Sequence, residues 1–157
     1  MPEIDRDEIE KKVRRSLALL LKQDRFLLEI DVNERSITHK LAEYLQLEFP
    51  EWHVDCEYNR SGPLPKRLQI TADTPVRADD TEAQTVYPDI IVHRRNTDEN
   101  LLVIEVKKSS NRNRAEWDRQ KLEAFKEAED YKYDYAVFLK FETRNDQERG
   151  VSELLFL

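Results

Sequence analysis

Cysteine occurs once in this chain, at Cys56, so no disulfide can close within it. That removes the usual signature of a small secreted scaffold and leads to the expectation of a reducing, cytoplasmic setting. Long apolar runs are missing as well. The longest early stretch, "LALLL", falls far short of the roughly 20 residues a membrane-spanning helix needs, so no membrane partner is expected. The amino-terminal "MPEIDRDEIEKK" is charged from its third residue, which does not read as an export signal. Histidine is scarce: His39, His53 and His93 show no paired spacing, and Cys56 has no companion, so zinc is not expected and these read as structural or surface residues. An excess of positive charge is lacking too. The formal net charge is -7, from 26 Lys and Arg against 33 Asp and Glu, which argues against a surface coated with nonspecific phosphate contacts.

What is present is concentrated. Charged residues make up 38% of the chain and hydrophobic ones 39%, so the apolar residues must be gathered into a few segments. A length of 157 residues suits a single domain, with amino-terminal helices over about 7–48 and a core of sheet and helix over about 52–157. Ile9, Val13, Leu17, Leu20 and Leu21 recur at helical steps and predict an amphipathic helix over 7–23. Asp31 or Asn33 can cap a second helix over about 34–48, with Ile37, Leu41, Tyr44 and Leu45 as its stripe and Pro50 beyond its end. Glu34 lies on the buried side of that helix's first turn, an unusual place for a carboxylate.

Strand signals follow. "WHVDCEY" alternates, with Trp52, Val54, Cys56 and Tyr58 on one face and His53, Asp55 and Glu57 on a wet face. "NRSGPLPKR" reads as a turn or loop, "RLQIT" as a brief strand, and "ADTPVRADDTEAQTV" as loop. "VYPDIIVHRRNTDENLLVIEVKKSS" reads as a hairpin, with strands over 89–95 and 101–107. A charged helix over 113–130 and strands at "YAVFLKFE" and "ELLFL" complete an α/β pattern.

The hairpin carries the chemistry. Strand periodicity sets Leu101, Val103, Glu105 and Lys107 on one face, so the acid and the amine emerge side by side where an apolar strand ends. With Arg95 opposite Leu101, Asp89 falls opposite Lys107. Two carboxylates and an ammonium then converge, a costly arrangement unless a cation stands between the acids. Oxygen ligands from Asp89 and Glu105, a backbone carbonyl such as that of Val106, and waters suit Mg²⁺ or Mn²⁺ rather than a soft metal. Such an ion activates water and neutralises charge developing on a phosphodiester, and Lys107 adds a compact positive charge beside it. Between Lys107 and Lys121 six basic residues stand against two acidic ones, and Lys108, Arg112 and Arg114 form a candidate phosphate track.

"PDIIV" followed by "LLVIEVKK" resembles the PD-(D/E)xK nuclease superfamily, with Pro88 and Asp89 as its first element and Glu105, Val106 and Lys107 as its second; the resemblance covers roughly residues 33–140. It implies a restriction-endonuclease-like fold, a mixed central sheet flanked by helices. It also implies a further acid on the helix ahead of the sheet, where Glu34 stands, and a polar or basic residue on the helix after the second element, where Gln120 and Lys121 stand. The expected function is Mg²⁺- or Mn²⁺-dependent hydrolysis of nucleic acid, with DNA favoured over RNA. Specificity would come from loop 60–87, from a homodimer or from a protein partner. The competing expectation is a catalytically inactive module of the same fold that binds nucleic acid or a protein. Blander readings exist for each residue: Pro-Asp marks many turns, strand ends are often charged, acids are common in first helical turns, and Trp117 and Tyr58 are more often core than base-stacking groups.

Overall fold

The computed structural model describes residues 4–58, 60, 61, 64, 65, 87–110, 120–124, 132–143 and 150–157. Helix α1 (Arg6–Gln23) starts where Asp5 accepts a hydrogen bond from the Glu8 N–H at 2.8 Å, an N-cap that contributes about 1 kcal/mol. Its face of Ile9, Val13, Leu17 and Leu20 is buried, as the spacing predicts. A one-turn helix, α2 (Arg25–Glu29), follows. Asp31, at φ 51°, ends it, and α3 (Glu34–Glu48) begins with Asn33 accepting from the Ser36 N–H at 2.9 Å. Of the two cap candidates, Asn33 is therefore the cap and Asp31 the turn.

Helices α1 and α3 pack together and are latched at one end. Lys12 Nζ donates to the Glu48 carbonyl at 2.8 Å, covering one of the carbonyl groups that the last turn of α3 leaves open, and Arg15 Nε donates to Glu48 Oε1 at 2.6 Å. Phe49 is buried just beyond. The Gln46 side chain then fastens the exit from α3 to the sheet: it donates to the carbonyls of Phe49 and Trp52 and accepts from the Val54 N–H.

The strands are β1 (His53–Cys56), β2 (Arg60–Ser61), β3 (Leu64–Pro65), β4 (Ile90–His93), β5 (Asn100–Lys108), β6 (Tyr135–Glu142) and β7 (Gly150–Phe156). Five of them form one sheet in the order β1-β4-β5-β6-β7, and β2 and β3 pair separately. Only the β5–β6 pair is parallel, so the sheet is mixed. A parallel pair needs a crossover, and residues 120–124, within that connection, are helical. The rest of the helix expected over 113–130, with Trp117, and the expected strand at "RLQIT" lie outside the described residues. Among the described residues no helix is long and apolar enough to cross a membrane.

The sheet separates two apolar clusters. Ile90, Val92, Leu102, Ile104, Val106, Val137, Leu139 and Phe141 pack with α1 and α3. Ile91, Val103, Ala136 and Phe138 pack on the other face with Leu122 and Tyr133. Strand β5 is thus covered on both sides, which is why its sequence is a continuous apolar run rather than an alternation.

Two expectations about the strands change. Glu57 adopts φ 52°, which ends the alternation of β1 and carries Tyr58 to the second cluster rather than to the side of Trp52 and Val54. The wet face of β1 holds at the exposed His53 and Glu57, while Asp55 between them is half-buried against His93. The hairpin register also differs by two residues: Ile90 faces Ile104 and Ile91 faces Val103, and an irregularity between Val92 and His93 shifts the pairing by one more toward the turn. Asp89 consequently comes level with Glu105, not Lys107.

Candidate functional site

Pro88 explains why β4 begins where it does. Lacking an N–H, it cannot extend the ladder toward Val106. Strand β5 runs on to Lys108 while β4 starts only at Ile90, so the Val106 N–H needs another acceptor. The Asp89 carboxylate supplies it at 2.8 Å. The Asp89 carbonyl meanwhile accepts from the Glu57 N–H, so the residue is fixed from both sides by backbone.

Asp89, Ile91, Val103, Glu105 and Lys107 share the second face of the sheet, by strand periodicity and cross-strand register. Glu105 is 1% exposed and Lys107 4% exposed, so both charges sit inside the protein at the carboxyl end of the central strand. Asp89 comes level with Glu105 across the two strands, near enough for Glu105 to influence its carboxyl. Lys121, from the helical segment over β5, places its Nζ 3.2 Å from Glu105 Oε2. Leu122, fully buried in the second cluster, holds that segment on the sheet.

Burial is the main influence on Asp89 and lifts its carboxyl above the usual aspartate range. The Val106 N–H, the contact with Glu105 and the charge of Lys121 oppose that rise, while the charge of Glu34 adds to it. Glu34 therefore lies close enough to act on Asp89, as expected from its place on α3. Its Oε2 accepts from the Lys108 N–H at 3.3 Å, tying the first turn of α3 to the end of β5.

Among the described residues, no three His, Cys, Asp or Glu side chains converge as a group that could hold a metal ion. The acids at the site are a close pair, Asp89 and Glu105, with Glu34 outside it. Mg²⁺ is commonly held by one or two carboxylates, with waters and substrate phosphate completing the shell, and this all-oxygen pair fits that pattern.

The expected phosphate track divides. Lys108 turns away from the acids: its Nζ donates to the carbonyls of Asp31 and Val32 at 3.3 and 3.1 Å and lies 3.4 Å from Asp31 Oδ1. It closes the α2–α3 junction. Lys121 faces the acids instead of standing outward, and Gln120 is half-buried beside it. Arg112 and Arg114 lie outside the described residues.

One polar group escaped the sequence reading. His93, 2% exposed, lies 2.7 Å from Asp55 Oδ2, and Arg95 Nε donates to the same oxygen at 2.9 Å. The Tyr58 ring leans against His93 at 4.8 Å between centroids. Burial pushes the Asp55 carboxyl up, but hydrogen bonds from His93 and Arg95, with their charges, outweigh it and leave Asp55 well below the usual carboxylate range. The available signal was the "HRR" that ends β4 opposite "HVD" in β1, legible only once the pairing of those strands is known.

No protein-family model, curated protein or solved structure matches the chain. What the fold and site define is thus a class: a mixed α/β sheet flanked by helices, with a half-buried and a buried acid and two lysines at the end of its central strand.

Proposed function

We propose that the chain is a divalent-metal-dependent nuclease of the PD-(D/E)xK type, acting on DNA in preference to RNA. The observation that carries this reading is the placement of half-buried Asp89 level with buried Glu105 across the hairpin at the end of β5, bordered by Lys107 and Lys121. An apolar strand gains nothing in stability from two adjoining carboxyls, and groups kept in so costly an arrangement are characteristic of sites. Asp89 and Glu105 would hold Mg²⁺ or Mn²⁺, with the Val106 carbonyl as a third donor. The ion, when bound, would supply an activated water and charge neutralisation at the scissile phosphate. Lys107 would orient that water or steady the phosphate, and the backbone clamp on Asp89 would keep its carboxylate aimed without reorganisation. Specificity would come from the segment over 60–87 or from a second chain.

A second reading, a catalytically inactive module of the same fold that binds nucleic acid or a protein, draws on Glu34 standing outside the acid pair. The two separate in one experiment. Purified protein is incubated with Mg²⁺ or Mn²⁺ and with supercoiled, linear and branched DNA and RNA, beside Asp89→Asn and Lys107→Ala. The nuclease reading expects cleavage by the wild type alone. Metal binding with no cleavage of any substrate favours the module.

A further inference from the structure

Lys121 is placed for a task that phosphate binding does not require. Its ammonium lies 3.2 Å from Glu105 Oε2, and the two side chains are 12% and 1% exposed. The buried Leu122 beside it belongs to the same apolar cluster as Val103 and Phe138 of the sheet. A charge in that position has little access to an approaching phosphate. It stands where a cation bound by Asp89 and Glu105 would need to stand, and it compensates the same negative charge.

We propose that Lys121 is a tethered counter-ion that holds the acid pair together without metal and competes directly with a divalent ion, so that metal binding requires its withdrawal. This rests on the metal-binding reading above and deepens it, by assigning the site a built-in competitor. The physics is an exchange. An acid buried as deeply as Glu105 cannot be left uncompensated, because removing one partner of a buried ion pair costs several kcal/mol. A lysine serves as that partner cheaply, since its single charge sits on a flexible stem that can swing aside, which a planar, bidentate guanidinium does less readily. A dication then takes the carboxylate oxygens, and two positive centres cannot share them. Occupancy therefore becomes a threshold on metal concentration: the metal-free protein stays folded, and loading frees a lysine to face incoming polyanion.

The test compares Mn²⁺ binding by calorimetry in the wild type, Lys121→Met and Asp89→Asn, with thermal unfolding in chelator. Lys121→Met is expected to bind Mn²⁺ about tenfold more tightly, equivalent to about 1.4 kcal/mol, and to unfold at lower temperature in chelator. A second measurement needs no variant. Amine-reactive labelling of the wild type, read by mass spectrometry, should rise at Lys121 when Mn²⁺ is added. Unchanged or weaker Mn²⁺ binding in Lys121→Met, or labelling that does not rise, overturns the proposal. If Asp89→Asn meanwhile loses binding, the metal site itself stands. If the wild type and Lys121→Met both bind no Mn²⁺, the metal-binding reading fails and the counter-ion proposal falls with it.

Discussion

Asp89→Asn should make the protein more stable at neutral pH while abolishing metal binding. The amide keeps an oxygen to accept from the Val106 N–H, now 2.8 Å from the carboxylate, so the backbone clamp survives. What disappears is a charge that burial and Glu34 disfavour. Because the folded-state pKa is raised, the native protein binds more protons than the unfolded chain between the ordinary value of 3.8 and the folded value. Wild-type stability therefore falls as pH rises through that window, and the asparagine variant escapes the loss. The gain at pH 7 should be on the order of 1 kcal/mol, the scale typical of relieving a strained functional group. In a chain of this size that is about 2–4 °C in Tm. Thermal melts of both proteins across the acid range test it. The two curves should approach one another at low pH, where Asp89 is protonated in both states, and separate as pH rises. A variant less stable than wild type at neutral pH, or a difference independent of pH, would refute the reasoning.

Asp55→Asn should do the reverse. Its lowered pKa means that its stabilisation is present above 3.8 and lost as pH falls below it, so the variant should lose about 2 kcal/mol at pH 7, as expected for hydrogen bonds to a charged group, and little in strong acid; parallel denaturant titrations check this. Tyr44→Phe removes the hydroxyl that donates to Asp24, a bond that, with burial and the charges of Asp24 and Glu43, pushes the phenol up to about 12. It should cost about 1 kcal/mol below the ordinary tyrosine range and remove a step near pH 12 from an ultraviolet titration of tyrosinate, with the wild type losing that contribution as pH rises through about 12. Phe138→Ala, in the cluster that supports Val103 and Leu122, should cost about 3–5 kcal/mol by equilibrium unfolding.

What was legible in the sequence followed from regular periods and local chemistry. The stripe of Ile37, Leu41, Tyr44 and Leu45 and the cap at Asn33 located α3, and the runs "LLVIEVKK" and "YAVFLKFE" located the two strands that form the parallel centre. The pairing of Asp89 with the second strand was legible in outline, since any tight hairpin brings Pro88 and Asp89 to the far end of β5. The register was not, because it depends on an irregularity between Val92 and His93 and on the turn's geometry, which single-residue patterns do not encode. Nor was the His93–Asp55 pair, which joins residues 38 apart through β1 against β4. Tyr58 was placed on the wrong face because one left-handed residue, Glu57, reverses the alternation. Lys108 was read as a phosphate contact from its charge and its place beside the site, and the backbone carbonyls of Asp31 and Val32 engage it instead.

The central claim, that Asp89 and Glu105 form a divalent-cation site, is tested most directly by calorimetric titration of Mn²⁺ into the wild type, Asp89→Asn and Glu105→Gln, all first shown to be folded. The account predicts a single binding event in the wild type that both substitutions abolish or weaken severely. Binding of equal strength in all three, or none in the wild type, would contradict it.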